Sequence, residues 1–135
     1  MMKTLDILCA SDLTQASNTA LHYALGLAER AGTRVTLLHV LGKDERAGDA
    51  RELINDRMER QVMDAGGDGK VRVLLQEGEL LPALERETAH GHSLFVLGTH
   101  GPHGLRQALF GADILKVVRR SAIPSLVVQE ESPLQ

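Results

Sequence analysis

The chain has 135 residues, with 15 basic and 18 acidic side chains, a net charge of −3 and only 2% aromatic residues. This length suits one domain over 1–135 and is too short for two ordinary domains with a linker. Few stacking platforms and no basic run argue against nucleic acid as a partner, and no apolar stretch approaches the roughly twenty residues that span a bilayer.

The N-terminal residues and the cysteine content bear on location. The chain reaches Asp6 before any long apolar region, so no secretory signal is indicated. Its one cysteine, Cys9, has no partner for an internal disulfide. We therefore expect a cytoplasmic protein. Because Cys9 lies inside an apolar run, we expect a buried core thiol and no nucleophile.

The first half of the chain is predicted to form strand, helix, strand and helix. The apolar run 5–10 predicts a buried strand, and apolar residues at helical spacing predict a helix over 15–31 that Gly32 ends. A second apolar run predicts a strand over 35–40, followed by a charged loop over 41–48. The segment 49–65 predicts a second helix, whose apolar side consists of Leu53, Ile54, Met58, Val62 and Met63.

The second half repeats the alternation. A strand is predicted over 71–75, then a helix over 79–90 with Pro82 in its first turn, where a missing N–H matters little. The next predicted strand, 93–97, continues directly into a glycine-rich turn. A last helix is predicted from about 104 to 120, and Pro124 introduces a fifth strand over 125–129. Residues 130–135 are expected to form a loosely ordered tail.

This alternation predicts an α/β fold, a three-layer sandwich around a five-stranded parallel sheet. The strands are nearly continuous apolar runs, as expected where helices cover both faces of a sheet. Right-handed crossovers then give the strand order 3-2-1-4-5. Ligands are expected at the carboxyl ends of the first and fourth strands, because the strand order reverses there.

The strongest local signal is Gly98-Thr99-His100-Gly101, followed after nine residues by Gly111. Glycines allow backbone N–H groups to approach an anion closely, and a following helix N-terminus adds its positive dipole end. The spacing therefore suits phosphate groups. A simple tight turn after a strand is the alternative, and the spacing alone leaves both open.

The sequence resembles the universal stress protein family in several places. The glycine turn just described, the segment 123–128 and the opening 7–14, with Asp12 in the place of that family's aspartate, all share the resemblance. It extends over nearly the whole chain and implies a fold like that of the adenine nucleotide alpha hydrolases. It also implies a role in the stress response or in regulation.

One branch of that family binds nucleotides. Resemblance to this branch implies a site for ATP or another adenine nucleotide, with Mg²⁺ carried by the phosphates. Adenosine would be held by Ala10, Asp12 and Val40. The phosphates would be held by Gly98, His100, Gly101, Gly111 and the backbone of Ala112. Asp12 has a second reading, as the N-terminal cap of the first helix, and the two roles are compatible.

The sequence departs from that branch after Gly111. The family's motif continues with Ser or Thr, whereas Ala112 and Asp113 follow here. The hydroxyl is lost, and Asp113 adds a negative charge near the expected phosphates. A family member that binds no nucleotide and acts through protein contacts is therefore the alternative.

Other kinds of chemistry have less support. The close histidine pairs, His90 with His92 and His100 with His103, lack the further ligands that a metal site needs, so no metal site is expected. No set of nucleophile, base and orienting group can be assembled, so no catalytic residues are assigned. A signalling receiver domain would need an acidic pair beside Asp12, and an adenylating enzyme would need a serine-glycine-glycine turn after the first strand.

The fifth strand, 125–129, is apolar and falls at one edge of the predicted sheet. An uncovered edge exposes unpaired N–H and C=O groups beside apolar side chains. Self-complementary pairing across a two-fold axis is the commonest solution, and the family resemblance implies the same contact. We expect a homodimer through Ser125–Gln129, with a fold-back of residues 130–135 over that edge as the alternative.

Overall fold

The computed structural model describes residues 5–99 and 114–129. Within them, five strands form one parallel sheet in the order β3-β2-β1-β4-β5, which confirms the predicted order. The strands are β1 Asp6–Ala10, β2 Val35–Leu41, β3 Val71–Glu77, β4 His92–Thr99 and β5 Ser125–Gln129. The helices are α1 Gln15–Ala31, α2 Gly48–Asp64, α3 Leu80–Thr88 and α4 Ile114–Arg120, and Lys43–Glu45 forms a short 3-10 helix after β2.

Helices cover both faces of the sheet and create two cores. Alternate strand residues such as Ile7, Cys9 and Leu37 pack against α1 and α2 in the first core. Their neighbours, such as Leu8 and Phe95, pack in the second core with residues of α3 and α4. Since successive side chains of a strand point to opposite faces, this alternation gives the three layers that the sequence predicted.

Helix α1 begins at a polar cap and ends at a glycine. Thr14 is the N-cap and forms a capping box with Ser17, while Gly32 ends the helix with a φ of 68°. The reading of Asp12 as the cap was wrong, because Asp12 lies two residues before the cap residue Thr14. Its Oδ1 atom instead accepts a hydrogen bond of 3.1 Å from the backbone N–H of Thr14, within the preceding turn.

Helix α2 buries a narrower stripe than the sequence predicted. Ile54, Met58 and Val62 are buried, but Leu53 and Met63 are 59% and 62% exposed. At 3.6 residues per turn, those two side chains lie about 140° to either side of Met58. The assignment of Leu53 and Met63 to the core was therefore wrong. No helix in the described residues is both long and apolar enough to cross a membrane.

Strands β3 and β4 extend beyond their predicted bounds into polar residues. Strand β3 continues to Glu77 because it pairs with β2 as far as Leu41, and β4 begins at His92, opposite Asp6. Strand β5 lies at the edge of the sheet, as predicted, with Leu126 and Val127 36% and 40% exposed. The tail 130–135 and the beginning of the last helix, from about 104, lie outside the described residues.

Candidate functional site

A cavity of about 370 Å³ opens at the carboxyl ends of the strands. The turn after β1 and the segment 39–45 supply most of its wall, and α2 and the segment before α3 supply the rest. The lining residues are Asp12, Leu13, His39, Val40, Leu41, Gly42, Lys43, Asp44, Glu45, Arg57, Gly78 and Leu80. We call this cavity the cleft.

A second cavity, of about 440 Å³, lies beside α2 and β3. It is lined by Arg51, Glu52, Asn55, Asp56 and Leu75. Although it is larger, it lies beside an edge strand, away from β1 and β4. In open α/β sheets, ligands bind beyond the carboxyl ends of the strands near the reversal of strand order, so the cleft is the stronger candidate.

The turn after β1 forms one wall of the cleft and is tightly organised. Leu13 has a φ of 64°, a left-handed conformation that is unfavourable for a residue with a branched side chain. Its N–H donates to Ser11 Oγ at 3.1 Å, and the next N–H, of Thr14, donates to Asp12 Oδ1. Local hydrogen bonds thus hold Leu13 in a conformation that costs roughly 1 to 2 kcal/mol.

A buried polar network anchors this turn to both helices of the first layer. Ser11 Oγ donates to Gln61 Oε1 of α2 at 2.7 Å. The Gln61 amide group donates in turn to Ser17 Oγ of α1 at 3.1 Å and to Asn18 Oδ1. Since most of this network is buried, the wall that carries Asp12 is fixed relative to α1 and α2.

His39 connects this wall to the opposite one. It is buried near the end of β2, where Nδ1 lies 2.8 Å from the backbone oxygen of Ser11. Its Nε2 atom lies 3.0 Å from Glu45 Oε1, which also accepts a 2.9 Å hydrogen bond from the N–H of Gly42. The sequence reading did not single out His39, although a histidine inside an apolar strand is a usable signal.

The pKa of Glu45 reflects these contacts. Partial burial acts to raise it, but the hydrogen bonds from Gly42 and His39 and the electrostatic interactions with His39 and Arg57 together outweigh burial. The pKa of Glu45 is therefore lowered, and the side chain is a carboxylate at neutral pH.

Of the predicted adenosine residues, the structure places Asp12 and Val40 in the cleft wall. Ala10 packs in the second core, at the end of β1. Among the predicted phosphate residues, Gly98 is the last but one residue of β4. His100, Gly101, Gly111 and Ala112 lie outside the described residues, as do His103 and Asp113.

The glycine at position 98 has a packing role. A Cβ atom there would lie 2.2 Å from the backbone oxygen of Ala16 and 2.6 Å from its carbonyl carbon. The sequence predicted that backbone would approach a phosphate here, whereas the close approach observed in the described residues is to α1. Gly98 therefore allows α1 to pack against β4 at the carboxyl edge of the sheet.

Within residues 5–99 and 114–129, no three His, Cys, Asp or Glu side chains are grouped so that they could hold a metal ion. His92 is buried with Nε2 2.8 Å from Glu87 Oε2, while His90 Nδ1 lies 2.6 Å from the backbone oxygen of Arg86. Cys9 is fully buried, as predicted, and burial raises its pKa to about 12, which keeps the thiol protonated.

Comparison with known proteins identifies the family. The model of the universal stress protein family matches residues 4–129. The chain belongs to the universal stress protein family. No curated protein matches it.

Solved structures of this family share the fold. A universal stress protein family member from Burkholderia pseudomallei is 27% identical, with a TM-score of 0.62 over 90% of this chain and 93% of that one. The protein from Archaeoglobus fulgidus in complex with dAMP is 17% identical, with a TM-score of 0.72 over 95% and 100%. The Arabidopsis thaliana protein with AMP bound is 16% identical, with a TM-score of 0.63 over 97% of each chain.

Proposed function

We propose that this universal stress protein binds an adenine nucleotide in the cleft and acts in the stress response through regulated contacts, without catalysing a reaction. The observation that carries the proposal is the cleft itself, which lies beyond the carboxyl ends of β1, β2 and β3, on one side of the reversal of strand order, with Asp12 and Val40 in its wall. The dAMP and AMP complexes of the two structural relatives support the same ligand class. We place the protein in the cytoplasm, as a single domain.

The chemistry of the lining residues suits a nucleoside. The volume of about 370 Å³ lies within the range of small-molecule pockets. Leu13, Val40 and Leu80 offer apolar surface to the faces of a base. Asp12 offers carboxylate oxygens, which accept hydrogen bonds from ribose hydroxyls. In this proposal, the phosphates extend toward the glycine turn that begins at Gly98.

The sequence bears most directly on how many phosphate groups the bound nucleotide carries. Ala112 offers a backbone N–H but no hydroxyl, and Asp113 adds a negative charge. Fewer phosphates mean less repulsion from that charge, so we propose AMP as a better ligand than ADP or Mg-ATP. The alternative is a member that binds no nucleotide, and the same titrations decide between the two.

Isothermal titration calorimetry with AMP, ADP, Mg-ATP and GMP tests this function. We expect binding of the adenine nucleotides, AMP most tightly, and weaker binding of GMP. The Asp12→Asn variant should lower AMP affinity about tenfold, because a charged acceptor for the ribose is lost. Asp68→Asn makes the same change on an exposed loop residue and should leave the affinity unchanged. Equal loss in both variants, or no heat with any nucleotide, would contradict the proposal.

We also propose a homodimer through β5. Its support is the position of β5 at the edge of the sheet and the exposure of Leu126 and Val127 there, beside backbone groups that β4 does not pair. Pairing with the same strand of a second copy would satisfy these groups and cover both side chains. A fold-back of residues 130–135 would do the same within one chain.

A further inference from the structure

The two ring nitrogens of His39 face a backbone carbonyl oxygen, which can only accept hydrogen bonds, and a carboxyl oxygen of Glu45, which accepts them when Glu45 is ionised. Nδ1 lies 2.8 Å from the backbone oxygen of Ser11, and Nε2 lies 3.0 Å from a carboxylate oxygen of Glu45. A neutral imidazole carries one N–H and can donate only once. Both contacts are therefore made together only when the ring carries two N–H groups, and the lowered pKa of Glu45 favours the carboxylate that such a ring requires.

We propose that doubly protonated His39 is the positioning residue that ties the two walls of the cleft together, so that one proton assembles the site. The Ser11 contact holds the wall that carries Asp12 and Leu13. The Glu45 contact holds the opposite wall, where Glu45 Oε1 also accepts from Gly42. The consequence for ligand binding rests on the proposed function, whereas the tie itself does not.

Loss of this proton has a defined structural result. If Nδ1 keeps its hydrogen for Ser11, Nε2 presents a lone pair to the Glu45 carboxylate at 3.0 Å, and the contact becomes repulsive. The Glu45 side chain in the 3-10 helix Lys43–Glu45 then keeps its hydrogen bond from the N–H of Gly42 and loses the one from His39. The wall opposite Asp12 loosens, so affinity for a nucleoside should fall as the pH rises.

Other charges face the cleft and bear on the same proton. Asp12 comes from the turn after β1, Lys43 and Asp44 from the 3-10 helix, and Arg57 from α2. Gly78, before α3, and Leu80, the first residue of α3, carry no charge. Two carboxylates thus offset two basic groups around the His39–Glu45 pair. Glu45 differs from these four charged groups in that it contacts the His39 ring directly.

The protonation state of the free protein is the first test. Long-range nitrogen–proton NMR spectra are recorded on ¹⁵N-labelled wild type and Glu45→Gln at the same pH, near about 6.5, where histidine side chains titrate. We expect N–H at both ring nitrogens of His39 in the wild type. In the variant we expect N–H only at Nδ1, because the glutamine amide can donate to Nε2. The same ring state in both proteins would overturn the proposal.

Ligand affinity gives the second test. AMP dissociation constants are measured from about pH 5.5 to about pH 8.5, around the histidine range. We expect the wild-type affinity for AMP to weaken about tenfold as the pH rises, because one charged hydrogen bond is lost. The affinity of Glu45→Gln should lack this tenfold change over the same pH range. Glu77→Gln removes an exposed carboxylate that pairs with Arg51 at 3.3 Å and should follow the wild type.

The comparison of profiles separates this inference from the proposed function. The AMP phosphate titrates in all three proteins, so only the difference between profiles reports on the pair. If Glu45→Gln keeps the wild-type slope, the role of His39 in assembling the site is wrong. If none of the proteins binds AMP at any pH, the proposed function is wrong, and the NMR comparison alone decides whether the tie exists.

Discussion

Gly98 is the residue whose replacement has the most clearly defined result. A Cβ atom at this position would lie 2.2 Å from the backbone oxygen of Ala16, and no side-chain rotation can relieve a clash with backbone. We expect Gly98→Ala to lower the free energy of unfolding by about 1 to 3 kcal/mol, the usual cost of overpacking. Urea denaturation measures this change when the wild type and the variant share the same slope of unfolding free energy against urea concentration.

Gly26 provides the matched control for that substitution. It lies inside α1, and a Cβ atom there would meet nothing within 4 Å. Gly26→Ala should raise the free energy of unfolding by about 1 kcal/mol, because alanine is the better helix former. If Gly98→Ala does not destabilise the protein, α1 does not pack closely on β4 at Gly98. Destabilisation by Gly26→Ala would show instead that the surface of α1 at Gly26 is not open.

At the residue scale, the sequence predicted part of the cleft. Asp12 and Val40 follow or end apolar strands, so their place at the carboxyl edge was predictable from the strand pattern. The left-handed conformation of Leu13 was not, because nothing in a leucine signals a positive φ. The role of Asp12 within its turn was also misread, since Asp12, Thr14 and Ser17 all have side chains that can cap a helix.

At the scale of elements, short apolar runs and glycine stops predicted strands and helices well. Strand β5 was predicted at its observed bounds, and so was α1, which Gly32 ends in a left-handed conformation. The charged loop after β2 was predicted without its 3-10 helix, which depends on the contact of Glu45 with Gly42 and His39. Those contacts are single hydrogen bonds within the segment 39–45, and they leave no periodic pattern in the sequence.

The edge strand β5 carries the prediction on assembly. Val127 is 40% exposed on this strand, so Val127→Lys should convert a homodimer to a monomer and leave the domain folded. Leu53→Lys is the control, because Leu53 is 59% exposed on α2, away from the edge. Light scattering at tens of micromolar chain measures the mass. A monomeric wild type would reject the dimer and favour the fold-back of 130–135.

At the scale of the molecule, the strand order followed from the alternation of elements and the right-handed crossover rule. The two faces of the sheet could likewise be assigned, because buried parallel strands alternate between two cores. The polar network of Ser11, Ser17 and Gln61 could not be predicted. It joins residues of α1, α2 and the first turn that only the folded chain brings together.

The most direct measurement of the central claim is a titration of the ¹⁵N-labelled protein with AMP, followed through its amide resonances. Binding in the cleft predicts that the largest shifts occur at Asp12, Leu13 and the segment 40–42, while resonances of the second cavity, 51–56, stay in place. Unchanged spectra at millimolar AMP, or shifts confined to the second cavity, would contradict the claim that this cleft is the nucleotide site.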